Sequence, residues 1–163
     1  MKRPFNLLAL IILLTGCNTN PTVVKDNKTQ SNDEIITYDS VLAKQLGADA
    51  YGMKQYVMAF LKAGPNRDRD SATAARLQRA HLDNIFRLAD EGKLVLAGPF
   101  LDKGEIRGIY VFNVTTVEEA AELTSTDPAI QAGSLVMELH PWYGSAGLMQ
   151  INEISKKIEK EQI

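Results

Sequence analysis

The sequence contains one cysteine and two histidines in 163 residues. A single thiol excludes an internal disulfide framework and a zinc site built from several thiolates. The chain also has no glycine-rich phosphate loop, no nucleophile elbow and no dinucleotide-binding fingerprint. Positive charge is not in excess, since the formal net charge is −2, whereas nucleic-acid-binding proteins usually present a clustered basic face. We therefore expect no nucleic-acid partner, no cofactor and no metal ion.

The composition is that of an ordinary folded domain. Hydrophobic residues make up 45% of the chain and charged residues 23%, a balance that argues against a wholly disordered protein. A chain of this length can build one domain and hardly two. The segments that flank the domain must therefore be short, and the first of them carries a distinct pattern.

The first 16 residues are organised like a bacterial export signal. Basic Lys2 and Arg3 precede an uninterrupted apolar run, residues 7–14. This run is too short to cross the hydrocarbon core of a membrane, because a helix needs about 20 residues for that. The run ends in Leu14-Thr15-Gly16-Cys17, which resembles the lipobox of bacterial lipoproteins. That resemblance implies cleavage before Cys17 and attachment of acyl chains to it.

Lipidation of Cys17 would place the protein in the bacterial cell envelope. Several acyl chains hold a protein on a membrane stably, whereas a single chain gives reversible binding. Asn18 follows the cysteine, and the resemblance implies an outer-membrane location facing the periplasm. The alternative is an ordinary secretory signal in which Cys17 is incidental. We expect the anchored form, with residues 1–16 as the signal peptide.

Residues 17–38 are expected to form a flexible tether that begins with the lipidated cysteine. Asparagine, threonine, lysine, glutamine, serine and aspartate dominate this stretch. Such a segment cannot bury enough apolar area to offset the entropy that is lost when it becomes ordered. Order is expected from Asp39 and Ser40, which suit the N-cap of a short helix closed by Gly47. Residues 39–53 then form a lead-in helix and loop.

The central part of the chain, residues 54–144, alternates between strand and helix patterns. An apolar face with helical period indicates a long helix at 72–91, and the capping box Thr116-Val117-Glu118-Glu119 opens a second helix. Apolar or β-branched runs bounded by turn residues indicate four strands, at 56–61, 94–100, 106–114 and 135–139. The order β-α-β-β-α-β is that of the α+β, ferredoxin-like split motif.

An antiparallel sheet with helices on one face leaves its other face uncovered. Two such sheets paired face to face make a homodimer, which we expect here. Residues 145–163 form an amphipathic C-terminal helix in this interpretation, since their apolar side chains recur at helical spacing, at Leu148, Ile151, Ile154 and Ile158. This helix is expected to pack on the body of the domain or on the dimer partner.

Five short motifs occur in order along residues 54–144: Arg79-Ala80-His81-Leu82, Glu91-Gly92-Lys93-Leu94, Ala97-Gly98-Pro99, Thr126-Asp127-Pro128 and Pro141-Trp142-Tyr143-Gly144. In this order and spacing they resemble the YCII-related (YciI-like) family. The resemblance implies a small domain of the dimeric α/β-barrel type. It also implies an active-site pocket lined by the histidine of the first helix and the aspartate of the Asp-Pro pair. These positions are His81 and Asp127 in this chain.

The position of His81 on the first helix supports this site independently of the resemblance. It falls inside the apolar face, between Ile85 and Leu88, where a solvent-facing histidine is not expected. A buried imidazole requires partners for its ring nitrogens. Asp127 is a suitable partner, since a carboxylate fixes the tautomer and stabilises the imidazolium. Such a catalytic pair suits proton transfer in isomerisation, elimination or water activation on a small organic molecule.

Three further residues are candidates for substrate binding. Arg79 lies at the border of the apolar face of the helix, and its guanidinium suits a carboxylate or hydroxyl group of a substrate. Gly98 and Pro99 are expected to border the pocket. Each also has a structural explanation, because Arg79 is consistent with a solvated flank and the Gly-Pro pair with a strand bend.

The catalytic candidates have structural explanations as well. His81 is also consistent with a hydrogen-bonded core histidine, and Asp127 with an N-cap that has Pro128 at the first helical position. His140 suits the surface better than a three-ligand metal site with His81 and Asp127. The functions that remain open are an acid–base enzyme, a non-catalytic small-ligand-binding module and a scaffold lipoprotein on the same fold.

The anchor hypothesis predicts the behaviour of one substitution. Cys17→Ser removes the only thiol that can be lipidated, so we expect the protein to leave the membrane fraction. The measurement is the share of protein that sediments with membranes after a high-salt wash. Ser31→Ala, in the same tether, is the matched control and should remain in the pellet. Continued sedimentation of the Cys17→Ser protein would contradict the anchor.

Overall fold

The computed structural model of the chain describes residues 37–161 and residue 163. The predicted signal peptide, Cys17 and all but the last two residues of the predicted tether lie outside this range. Within residues 37–161 and 163, no helix is both long and apolar enough to span a bilayer.

Four antiparallel strands form the sheet at the centre of the fold. They are β1 (Met53–Ala63), β2 (Leu94–Pro99), β3 (Ile106–Phe112) and β4 (Leu135–Ser145). Their spatial order is β2-β3-β1-β4, so the first strand in the chain is flanked by β3 and β4. Burial alternates along the middle of β1, because successive side chains point to opposite faces of a strand.

Helices precede, connect and follow the strands. Among the described residues they are α1 (Ser40–Leu46), α2 (Ser71–Asp90), α3 (Val117–Thr124), α4 (Pro128–Gln131) and, after β4, a 3-10 helix (Ala146–Gln150) that leads into α5 (Ile151–Ile158). The β-α-β-β-α-β order and the strand order are those of the ferredoxin-like α+β fold. The predicted fold class and the extra C-terminal helix are therefore confirmed.

Short-range signals in the sequence explain where the helices begin and end. The Asp39 carboxylate accepts hydrogen bonds from two amides of α1, and Gly47 closes that helix at φ 70°, a conformation that costs glycine little. Asp70 accepts a hydrogen bond from the Thr73 amide at the start of α2. The Thr116 hydroxyl accepts from the Glu119 amide, as the capping box requires.

The last strand is longer than the sequence indicates. The predicted strand ends at residue 139, whereas β4 continues to Ser145. β1 causes this extension, since it offers a partner along its whole length, from Ala63 opposite Leu135 to Met53 opposite Ser145. His140 therefore lies in the middle of an edge strand, where it pairs with Met58.

The sheet has a core on each face. The face that carries α2 and α3 has the larger one, built from β-strand and helix residues that include Val57, Leu88, Tyr110 and Phe112. Tyr56, Val95 and Val111 form a smaller cluster, and strand alternation puts them on the opposite face. The helices cover the larger core, which includes Tyr110 of β3.

The C-terminal segment packs on the body of its own chain. Leu148 and Met149 of the 3-10 helix lie against the smaller cluster. In α5, the Asn152 side-chain amide donates to the Leu94 carbonyl of β2 at 2.8 Å. Lys156 pairs with Asp90 at the end of α2 at 2.9 Å. Because β2 is an edge strand, the bond from Asn152 occupies a backbone carbonyl that would otherwise be open to pairing.

The larger core predicts a stability effect. Leu88 is fully buried on α2, so Leu88→Ala should leave a cavity and lower the free energy of unfolding by about 2–5 kcal/mol. Leu101 is 97% exposed, so Leu101→Ala should change the free energy by less than about 0.5 kcal/mol. Urea denaturation of residues 37–163 measures both. Equal effects of the two substitutions would contradict the assigned core.

Candidate active site

His81 lies on the face of α2 that packs against the sheet. It is 7% exposed, and Asn84 and Leu88 are buried on the same face of the helix. This spacing of three and seven residues is that of one helical stripe. The imidazole ring lies nearly parallel to the ring of Tyr110 of β3, with centroids 6.2 Å apart and an interplanar angle of 20°. The histidine is therefore held between a helix and the sheet.

Asp127 satisfies both interpretations that the sequence left open. It is the N-cap of α4, where its Oδ1 accepts a hydrogen bond from the Ala129 amide at 2.8 Å. Its Oδ2 lies 2.7 Å from Nδ1 of His81. The side chain is 0% exposed, so both oxygens need partners inside the protein. One carboxylate thus caps a helix and orients the imidazole.

A second set of hydrogen bonds fastens the Asp127 turn to α2. The Arg87 guanidinium donates to the Asn84 side-chain oxygen at 2.8 Å and to the Thr126 hydroxyl at 2.9 Å. The Thr126 hydroxyl also lies 3.1 Å from the Asn84 oxygen. Because Thr126 is the residue next to Asp127, these contacts fix the position of the carboxylate relative to His81.

Tyr110 is a member of this site that sequence reasoning missed. Its hydroxyl lies 3.3 Å from Nε2 of His81. Burial raises the pKa of Tyr110 well above its usual value, and the nearby charge of Asp127 adds to this effect. The available signal was strand alternation, which puts positions 110 and 112 on the helix-covered face. A buried tyrosine hydroxyl there needs a hydrogen-bond partner.

The hydrogen-bond network assigns the tautomer of His81. A carboxylate can only accept, so Nδ1 carries the proton that is donated to Asp127. In the neutral imidazole Nε2 is then the acceptor, and the protonated Tyr110 hydroxyl donates to it. The result is a chain of donors that runs from Tyr110 through His81 to Asp127.

A cavity of about 770 Å³ lies beside this chain of hydrogen bonds, and both His81 and Tyr110 line it. The predicted Gly98 and Pro99 also line it, at the end of β2. Its wall is mostly apolar where α2 contributes side chains, among them Leu82, Ile85 and Phe86. Asp127 is not a lining residue, since it lies behind the imidazole. The volume suits a small organic molecule.

Arg79 lies elsewhere than the sequence predicts for a substrate-binding residue. Its guanidinium pairs with Asp83, one helical turn along α2, at 2.8 Å. It also donates to the main-chain oxygen of Ile163 at 2.9 Å, and it sits 5.7 Å from the centroid of the Phe86 ring. Arg79 is not among the lining residues of the cavity, and it holds the C-terminal residues against α2.

His140 is on the other side of the sheet from His81. Strand alternation and its pairing with Met58 put it on the face opposite α2. There its Nε2 lies 2.8 Å from Glu138. Lys62 and, to a smaller extent, His140 hold the pKa of Glu138 below its usual value. In the part of the chain that the structure describes, no three His, Cys, Asp or Glu side chains come together in a group suited to hold a metal ion.

Fold and site together define a ferredoxin-like α+β domain with a buried His–Asp pair beside a cavity. The sequence profile of the YCII-related domain matches residues 53–143. The chain therefore belongs to the YCII-related family. The aspartate and histidine that the family resemblance pointed to are in direct contact in this fold.

Two further similarities are found. The uncharacterized protein YjpA of Bacillus subtilis (strain 168) is 36% identical over 62 residues, which are 38% of this chain and 71% of that protein. The solved structure of a 5-chloro-2-hydroxyhydroquinone dehydrochlorinase (TftG) from Burkholderia phenoliruptrix AC1100, in complex with 2,5-dihydroxybenzoquinone, is similar with a TM-score of 0.41 and 18% identity. That match covers 55% of this chain and 93% of that one.

The site predicts a change of tautomer in Asp127→Asn. The single oxygen of asparagine is expected to keep the cap on the Ala129 amide, so its NH₂ group faces Nδ1 of His81. A donor at that place requires Nδ1 to accept, and the ring proton should move to Nε2. The ¹⁵N shifts of the imidazole measure this directly. Glu138→Gln, beside His140, is the control, and an unchanged His81 tautomer in Asp127→Asn would refute the assignment.

Proposed function

We propose that the protein is a lipid-anchored component of the bacterial envelope whose YCII-type domain performs acid–base chemistry on a small organic molecule. The observation that carries this proposal is the contact of 2.7 Å between His81 Nδ1 and the fully buried Asp127, directly behind a cavity that His81 lines. The location rests on the lipobox at Cys17, with the outer membrane and its periplasmic side as the expected place.

In this proposal His81 is the catalytic base and then the acid. Nε2 takes a proton from the substrate or from a water molecule, and the imidazolium that forms is stabilised by the Asp127 carboxylate. The proton then returns to a different substrate atom in an isomerase, or to the leaving group in a lyase or hydrolase. Asp127 acts through His81 and is therefore a positioning residue.

Tyr110 has a second role in this mechanism. Its hydroxyl occupies Nε2 of His81 before a substrate binds, and it also lines the cavity. A substrate that accepts the Tyr110 hydrogen bond frees Nε2 and gains a donor near the atom on which negative charge develops. Because burial keeps this hydroxyl protonated well above its usual pKa, it can stabilise such a charge as a hydrogen-bond donor without losing its proton.

A homodimer remains part of this proposal. The sheet face opposite α2 is covered by the 3-10 helix over only part of its area. Val136 of β4, at the other end of that face, is 42% exposed. Val136 shares this face with the charged Glu138 and Lys62, and a second copy that pairs through the same surface would cover it.

The alternative is a non-catalytic module that binds a small ligand or serves as a scaffold. One observation favours it, namely that both ring nitrogens of His81 already have partners inside the protein, Asp127 and Tyr110. A histidine with this arrangement can be a structural element of the core. The two functions differ in whether Nε2 exchanges protons with a bound molecule.

Proton abstraction can be measured without knowledge of the natural substrate. The probes are 1,3-dicarbonyl compounds, keto acids and lactones, and the readout is exchange of their α-hydrogens in D₂O followed by NMR. We expect the protein to accelerate exchange of at least one probe class, and His81→Gln to reduce that rate by about 10²–10⁴-fold. His140→Gln, on the opposite face of the sheet, is the matched control and should keep the full rate.

The outcomes separate the two functions. Exchange at the uncatalysed rate with every probe, or an equal rate in the wild-type and His81→Gln proteins, would reject the acid–base proposal and favour the binding module. Thermal unfolding of His81→Gln checks that a lost rate is not a lost fold, since removal of a buried hydrogen-bonding partner costs about 1–3 kcal/mol. Tyr110→Phe should lower the rate less than His81→Gln, because it leaves Nε2 available.

A further inference from the structure

Two arginines line the cavity beside His81, and neither belongs to the His81, Asp127 and Tyr110 group. Arg67 lies in the loop between β1 and α2, and Arg107 lies near the start of β3. Among the described residues, neither guanidinium forms an ion pair with a carboxylate. By contrast, neighbouring Arg69 is engaged with the Ser134 hydroxyl and main-chain oxygens. Two arginines from separate elements therefore line the cavity, and neither has a carboxylate partner among the described residues.

We propose that this cavity binds a small anionic molecule with an apolar body, and that its carboxylate lies against Arg67 and Arg107. The chemistry after binding rests on the proposed function, whereas the charge selectivity does not require it. Guanidinium groups bind carboxylates through charged, directional hydrogen bonds. These two arginines thus take the place that the sequence assigned to Arg79, whose guanidinium is already paired with Asp83.

The remainder of the cavity wall explains why the body of the ligand is apolar. Leu82, Ile85 and Phe86 of α2 line the cavity together with Ile158 of α5 and with Gly98 and Pro99 at the end of β2. Burial of apolar ligand surface against such a wall supplies affinity, while a few polar groups fix the orientation. This wall suits the apolar part of a ligand whose anionic end is bound by the arginines.

The C-terminal residues add charge of the opposite sign. Glu159 and Glu161 follow α5 and line the same cavity, outside the family-matched range 53–143. The segment is held in place by the bond from Arg79 to the Ile163 oxygen and by the Lys156–Asp90 pair. Two carboxylates at this position repel an anionic ligand and weaken its binding. Neutralisation of both carboxylates should therefore strengthen the binding.

Charge selectivity can be tested with two probes of nearly the same shape, benzoate and its neutral amide, benzamide. Each is titrated into ¹⁵N-labelled residues 37–163, a unit with its own core, and the amide shifts of Gly98 and Gly108 report on the cavity. We expect benzoate to bind more tightly than benzamide. Arg67→Gln and Arg107→Gln should each weaken benzoate by about two- to fivefold and leave benzamide unchanged.

Two further variants fix the sign of the effect. Glu159→Gln combined with Glu161→Gln should tighten benzoate by a similar factor and leave benzamide unchanged. Arg76→Gln, on the exposed surface of α2 and outside the cavity lining, should change neither affinity. Higher salt should weaken benzoate alone, because the arginines are exposed and their charge is screened.

Three results would overturn the proposal: equal affinity for benzoate and benzamide, shifts that avoid the cavity amides, or no shift from either probe up to its solubility limit. A failed proton-exchange experiment combined with selective benzoate binding would reject the acid–base function and leave this ligand class standing. Proton exchange that depends on His81, without any preference for benzoate, would support the acid–base function and reject the anionic ligand class.

Discussion

The buried carboxylate of Asp127 is the constraint on which the site depends. A carboxylate removed from water is stable only if its oxygens find donors inside the protein. One oxygen takes the Ala129 amide at the start of α4, and the other takes His81 from α2. The requirement therefore joins two elements that are 46 residues apart in the chain. It also fixes which nitrogen of the imidazole remains to act on a ligand.

Local signals in the sequence were sufficient to predict much of the fold. Capping residues, a glycine that closes a helix and the apolar period of α2 are properties of neighbouring residues, so they survive in any tertiary context. The place of His81 on the apolar face of α2 follows from the same period. Asp127 was ambiguous between a cap and a partner of His81 because the two roles use different oxygens of one group. The sequence shows that an aspartate is present, but it does not show that one oxygen binds the helix amide and the other binds the histidine.

Features that arise from distant contacts could not be predicted in this way. β4 extends to Ser145 because β1 offers it a full-length partner, and no residue after position 139 signals this alone. In the sequence Tyr110 is one aromatic residue within an apolar strand, and only the folded structure shows that its hydroxyl lies beside Nε2 of His81. Arg79 looked like a ligand for substrate, yet the fold pairs it with Asp83 and the Ile163 oxygen. Each outcome depends on which surfaces meet, and that is a property of the whole chain.

The covering of β2 by α5 has a consequence for how copies of the protein avoid unwanted association. A sheet with two open edges can add strands from other molecules and grow into aggregates. Here α5 blocks one edge at the start of β2, where the Asn152 side chain bonds to the Leu94 carbonyl. The other edge, β4, is interrupted by Pro141, which has no N–H to offer an incoming strand. Growth along the sheet is thus disfavoured at both of its edges.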